Sequence, residues 1–294
     1  MALDVTSLNH RRAVNRWERV SVGDVLGRLR WSVPDQAAII GWAGAYASPS
    51  YARLSYRQAD ELAGQVANGL LERGLRQGDR VMLVCENSVE AYLTKIGIAK
   101  AGLVCVPVNP SLAGDVISHL IELTEPAFAV VDAETWPAAE KAFRAAGLLP
   151  GVTIPIGGEV VPGSVPFADF VAGQPVTEPD VEIHGDDIWQ ILFTSGTTAL
   201  PKGAMVSHHS SHLAAYSFAL TLTRGIRLEG DLKLATFLPI IYHVADQVFT
   251  FPAFLSGGTL IIGRRPDPVQ IAAAISREAV TALWAGSPAM AGSL

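Results

Sequence analysis

VMLVCENSVEAYLTKIGIAKAGLVCVPVNPSLAGDVISHLIELTEPAFAVV, residues 81–131, carries the periodicity from which the fold is read. Residues 81–86 form a short apolar run. Asn87 follows, with Glu90 three residues on, a pairing that reads as a capping box for a helix through Ala91, Leu93, Ile96, Ile98 and Ala101. A second apolar run, 103–108, closes on Asn109-Pro110, and a helix from about Ser111 to Leu123 leads to a third run at 128–131. Strand, helix, strand, helix, strand in this order predicts a parallel sheet with right-handed crossovers, hence an α/β fold.

Outward from this stretch, residues 147–180 are Gly/Pro-rich and less periodic, and the pattern restarts at Ile188. Strands are predicted at 188–193, 204–206, 233–238, 259–262 and 280–284, with helices from near Ser207, at 243–255 and at 268–277. The organisation expected is an N-terminal extension, 1–15, and one partial domain, 16–294, made of a first βα half (16–180) and a second (181–294). The irregular middle reads as a connection between the halves. No internal repeat or low-complexity tract is present.

With 294 residues, 49% hydrophobic and 17% charged, the chain can bury a sizeable core, which excludes a disordered tail or fibrous repeat. Lys+Arg 22 against Asp+Glu 28 gives a formal charge of −6, so a basic face for nucleic acid is not expected. Cys85 and Cys105 sit in apolar runs without C-x-x-C spacing and read as buried thiols in a reducing compartment. Residues 1–12 lack the apolar core of a signal peptide, and the uncharged stretch 247–263 is broken by Pro252, Ser256, Gly257 and Gly258. The expectation is a cytoplasmic protein without an integral membrane segment.

The chemistry is concentrated in ILFTSGTTALPKGA, residues 191–204, where an apolar strand runs into hydroxyls and glycines and ends on a lysine. Thr194, Ser195, Thr197 and Thr198 supply hydroxyl donors. Gly196 lets backbone N–H groups come close to a ligand, and Lys202 adds a mobile positive charge; together they suit a polyphosphate. Ser/Thr/Gly stretches are usually solvated turns, but Pro201-Lys202-Gly203 goes beyond turn chemistry. The spacing is not that of a Walker loop, which disfavours a P-loop NTPase.

TSGTTALPKG, residues 194–203, resembles the phosphate-loop signature T-S-G-[ST]-T-G-x-P-K-G of the adenylate-forming superfamily. That superfamily comprises acyl-CoA synthetases, aryl-CoA ligases, luciferases and peptide-synthetase adenylation domains. The order of short segments agrees over most of the chain, from VGDVL (22–26) and LSYRQADEL (54–62) to GDRV (78–81) and LVCVPVNP (103–110). The resemblance implies the large N-terminal AMP-binding domain, with helices packed between βα sheets. It also implies that Thr194, Ser195, Gly196, Thr197, Thr198 and Lys202 hold the β- and γ-phosphates of ATP while a carboxylate attacks the α-phosphorus. Pyrophosphate leaves, and the acyl group then passes to the thiol of coenzyme A (CoA), with Mg2+ as the accompanying ion. Ala199 departs from the signature at its second glycine; if that position needs a positive φ, alanine costs roughly 1 kcal/mol or shifts the loop.

LPIIYH, residues 238–243, resembles the second motif of the same superfamily and implies His243 as the catalytic gate between acyl group and nucleotide. Where relatives often have H-x-x-G, this chain reads HVAD, with Asp246 in the small residue's place. Peptide-synthetase domains usually carry an aspartate where His243 stands, so the implied substrate is a simple, hydrophobic carboxylic acid. Ala214, Ala215, Tyr216 and Phe218 are candidate lining residues, although ordinary core packing is the commoner role of each. His208 and His212 are spaced i, i+4, but no third ligand follows at suitable spacing, and no metal site is assigned. Asp186-Asp187 and Asp60-Glu61 read as helix-start or surface charges.

The motifs that the resemblance places later, for adenine, ribose, the hinge and a C-terminal lysine, have no counterpart up to Leu294. The expectation is the N-terminal portion of an acyl-CoA synthetase, inactive alone and, through an exposed sheet edge, able to form a homodimer. A different class stays open: a non-catalytic binding or dimerisation module, or a fragment of an amino-acid adenylation domain.

Overall fold

The structure is a computed structural model of the 294-residue chain and describes residues 20–194, 200–242 and 245–284, with only the backbone of Thr194 and Glu229. In chain order the strands are β1 (Ala37–Trp42), β2 (Arg53–Ser55), β3 (Arg80–Val84), β4 (Val104–Pro107), β5 (Phe128–Asp132), β6 (Val152–Ile154), β7 (Val165–Pro166), β8 (Ile188–Thr194), β9 (Lys202–Ser207), β10 (Lys233–Thr236), β11 (Thr259–Gly263) and β12 (Ala282–Trp284). The helices are α1 (Asp24–Ser32), α2 (Tyr56–Glu72), α3 (Val89–Lys100), α4 (Gly114–Thr124), α5 (Trp136–Ala145), α6 (Phe167–Val171), α7 (His208–Leu222), α8 (Phe251–Leu255) and α9 (Pro268–Glu278).

The chain forms two compact units. The first comprises Met1–Val22, Leu62–Glu86 and Leu93–Ser210, the second Gly23–Glu61, Asn87–Tyr92 and Ser211–Leu294. The first holds a seven-stranded sheet in the order β7-β6-β5-β3-β4-β8-β9, parallel except for the β8–β9 pair. Alternate residues Met82, Val84, Val104, Val106, Ala129 and Val131 pack with Ile117 and Leu120 of α4 and Trp136 and Phe143 of α5. The intervening Val81, Leu83, Cys105 and Val130 are buried as well. Burial of both faces explains why these strands read as continuous apolar runs and not as alternations. Cys85 and Cys105 are both buried in this unit as thiols, not joined in a disulfide.

The second unit holds a five-stranded sheet in the order β12-β10-β11-β1-β2, in which only β2 is antiparallel to its neighbour. Ile40, Ala235, Phe237 and Ile261 pack there with Ile271 and Ala274 of α9.

Three local readings need correction. Residues 147–180 are not merely a connection, because β6, β7 and α6 fall within them and both strands join the seven-stranded sheet. The helix predicted from Ser111 begins at Gly114, after a turn in which Asn109 Oδ1 accepts the Ser111 N–H at 2.9 Å. The capping box is absent: Ser88 caps α3, its Oγ accepting the Ala91 N–H at 3.0 Å, and Asn87 turns elsewhere. Glu90 does not reach back to Asn87; its Oε1 accepts the Ala47 N–H at 2.7 Å.

Burial pushes the Glu90 carboxyl above its ordinary value of 4.5, although backbone N–H groups and the charge of Arg264 pull the other way. The folded chain therefore keeps a proton that the unfolded chain gives up. The stability linked to that proton is complete below the unfolded value of 4.5 and is lost as pH rises through the folded value. Glu90→Gln retains an acceptor for Ala47 and does not titrate. Its melting temperature should gain on the wild type as pH rises from about 4 to about 7; calorimetry showing a pH-independent difference would contradict this.

Candidate functional site

β8 and β9 pair antiparallel from Ile188↔Ser207 to Thr194↔Lys202, with one irregularity between Ile188 and Gln190. Pairing Thr194 with Lys202 brings those two Cα atoms to within about 5 Å. The loop 195–201 therefore leaves and returns at one point. Ser195, Gly196, Thr197, Thr198 and Ala199, together with the side chain of Thr194, lie outside the described residues. Lys202 opens β9 with its side chain exposed. Pro201, which has no N–H, falls just outside the ladder, where no donor is required.

The root of this hairpin is held by Trp189, which is fully buried. The Lys95 ammonium lies 5.7 Å from the Trp189 ring centroid, and the His208 ring stacks on it at 6.3 Å with an interplanar angle of 29°. A desolvated cation on an indole contributes up to about 2 kcal/mol. His208 Nδ1 accepts the Val22 N–H at 3.0 Å, and its own main-chain N–H donates to the Asp187 carbonyl at 3.1 Å. His208 thus fixes the start of α7 with that ring nitrogen engaged as an acceptor. Asp187 is buried, and its Oδ2 accepts from the His184 N–H at 2.9 Å and Gln77 Nε2 at 3.2 Å. It closes the turn before β8, which corrects its reading as a helix-start or surface charge.

Open parallel sheets bind ligands beyond the carboxyl ends of strands, where the connections change direction. In the seven-stranded sheet this point lies between β5 and β3, since β3 leads to β4 on one side and β5 to β6 on the other. Asp132 Oδ2 accepts the Glu86 N–H there at 2.6 Å, and Thr135 Oγ1 donates to the Val84 carbonyl at 2.7 Å. Those bonds close the crevice, and a carboxylate in it has the wrong sign for a phosphate. The β8–β9 hairpin is the better candidate in the first unit.

In the second unit the segment Leu238–Tyr242 leaves the end of β10, while His243 and Val244 lie outside the described residues. Ala245–Thr250 is π-helical and runs into α8, a widened turn of the kind frequent at functional sites. Asp246 is fully buried in it. Burial, and secondarily the Asp246 carboxylate, raises the Tyr92 hydroxyl well above its ordinary value of 10.0. The departure from H-x-x-G therefore puts a carboxylate in the interior of the unit. On α7, Ala215 is buried but Tyr216 and Phe218 are exposed, so the four candidate lining residues do not share one buried face. The Tyr216 hydroxyl accepts from Arg28 Nη1 at 2.8 Å, and its ring stacks with His212 at 5.9 Å. Among the described residues, no three His, Cys, Asp or Glu side chains gather as a metal site.

Sequence reasoning did not find Trp189 and Lys95. A lysine is exposed by default, and the only hint was an α3 apolar on most sides of the helix, which left Lys95 no obvious polar face.

The family model described as AMP-binding enzyme matches residues 32–294. The long-chain-fatty-acid–CoA ligase FadD13 of Mycobacterium tuberculosis is 34% identical over 254 residues, which cover 86% of this chain and 48% of that protein. The crotonobetaine/carnitine–CoA ligase of Salmonella typhimurium is 30% identical over 214 residues, covering 71% of this chain and 40% of that protein. Among solved structures, the inhibitor-bound N-terminal domain of FACL13 from Mycobacterium tuberculosis superposes with a TM-score of 0.74 at 28% identity, covering 89% of this chain and 62% of that one. The chain spans about half the length, or less, of these curated relatives.

Trp189→Ala removes the ring on which Lys95 and His208 rest and should cost about 3–5 kcal/mol of stability in urea titrations. A loss below about 1 kcal/mol would show that the hairpin root does not depend on it.

Proposed function

The chain belongs to the AMP-binding enzyme family, and we propose that it is the N-terminal part of an AMP-forming acid–thiol ligase acting on a hydrophobic carboxylic acid. One observation carries the reading. The signature TSGTTALPKG starts and ends on the paired β8–β9 ladder, where Thr194 faces Lys202 and Lys202 is exposed. A tethered loop with hydroxyl and N–H donors and one ammonium suits a polyphosphate, whose charge is spread over many oxygens.

In this reading Thr194, Ser195, Thr197 and Thr198 donate through their hydroxyls, Gly196 through its N–H and Lys202 through its ammonium to the β- and γ-phosphates of ATP. Holding the pyrophosphate leaving group, they favour attack of the acid's carboxylate on the α-phosphorus. His243 would stand on the acid side. Coenzyme A is the acceptor substrate. The Mg2+ that accompanies ATP would neutralise phosphate charge; among the described residues the chain offers no cluster of three ligands for it. The class of acid is supported by the similarity to FadD13, a long-chain-fatty-acid–CoA ligase, and by histidine rather than aspartate at position 243. No helix among the described residues is long and apolar enough to cross a membrane, and we place the enzyme in the cytoplasm.

The test joins this chain to the part of FadD13 beyond the matched region and measures ATP–pyrophosphate exchange with palmitate. Exchange is expected from the joined polypeptide, with a loss of about 10²–10³ in rate on Lys202→Ala, and none from the 294-residue chain alone. An undiminished Lys202→Ala rate would overturn the loop's role, and exchange by the chain alone would overturn its dependence on a second part.

A further inference from the structure

Parallel strands that part leave main-chain groups without ladder partners, and each buried one has to be satisfied. In the second unit β10 and β11 run in register as far as Thr236↔Ile262 and then diverge. The Phe237 ring lies against Gly263 so closely that a Cβ on residue 263 would stand 1.9 Å from Phe237 Cδ1. Two residues on, Pro239 has no N–H to offer.

The side chain of Asn87, 1% exposed, fills the gap. Its Nδ2 donates to the Leu238 carbonyl at 2.8 Å and to the Gly263 carbonyl at 3.1 Å, and its Oδ1 accepts the Ile240 N–H at 2.8 Å. Arg264 Nη1 in turn donates to the Asn87 main-chain carbonyl at 3.2 Å. The carboxamide thus acts as one peptide unit of an extra strand, joining the end of β11 to the segment that leaves β10. Aspartate would have the shape but no donors, and would set a charge against two carbonyl oxygens. Alanine would remove all three of these bonds at once.

We infer that Asn87 is a positioning residue: its carboxamide, wedged between the carboxyl ends of β10 and β11, sets the course of Leu238–Tyr242 as it leaves the sheet. That this segment serves the acid side rests on the proposed function; the wedge itself does not.

The experiment follows hydrogen exchange by NMR in the full chain for Asn87→Ala and for Ser88→Ala, whose lost Oγ caps α3 without touching residues 238–240. Asn87→Ala should speed exchange of the Ile240 amide at least about tenfold, the equivalent of one lost hydrogen bond, whereas Ser88→Ala should leave it unchanged relative to amides of β11. Should Asn87→Ala not fold, Asn87→Ser, whose side chain ends one bond short of the Oδ1 that accepts the Ile240 N–H, carries the same expectation. Unchanged Ile240 exchange in a folded Asn87 variant overturns the inference. Palmitate titration is the second arm. Weaker binding by the Asn87 variant with wild-type binding by Ser88→Ala supports an acid-side role. Absence of palmitate binding in the wild-type chain counts against the acid-side reading, and amide exchange then decides the wedge on its own.

Discussion

A main-chain group at the carboxyl end of a parallel strand loses its ladder partner when the strands diverge, and what replaces that partner governs everything this chain holds beyond its sheets. Three replacements are visible. In the first unit Asp132 and Thr135 bond the main chain at the end of β3, closing the crevice at the change of direction. In the second, Asn87 stands between β10 and β11. At β8 the solution is an antiparallel return, so that Thr194 is paired by Lys202. The third ends on a paired Thr194 and Lys202, the latter exposed, which the first does not. Charge favours the hairpin, with its exposed Lys202, over the crevice, with its Asp132, for the anionic ligand proposed above.

The parts of the fold readable from sequence are those where burial on both faces forces an apolar run. β3, β4, β5, β8, β10 and β11 all declare themselves this way, within a residue or two of their ends. β6 and β7 do not, because Val152–Ile154 and Val165–Pro166 are too short to carry a period and sit among glycines and prolines. Their identity as strands comes from β5, which supplies the ladder on which β6 forms. The error at the start of α3 has a similar origin. Asn87 and Ser88 are both good capping residues, and local sequence cannot choose between them; the distant carbonyls of Leu238 and Gly263 claim Asn87 and leave Ser88 to cap.

For the candidate site, sequence located the loop and its terminal lysine but not what steadies them. Lys95 and Trp189 are far apart along the chain, and a buried lysine on an indole has no local signature. Asp187 and Asp246 show the same limit from the opposite side. From sequence Asp187 reads as a helix-start or surface charge and Asp246 as a substitution for a small residue of the motif, and both are buried. Only tertiary structure separates a solvated acid from one enclosed within a turn.

The two thiols lie wholly in the first unit, at the end of β3 and within β4, and sequence shows no third. A maleimide or disulfide reagent added under native conditions therefore reacts only when the strands beside Val130 and Gln190 come apart. The molecule carries a chemical clock for one of its units and none for the other. Thiol labelling set against a whole-chain probe would time the breathing of the hairpin's own sheet separately from that of its neighbour.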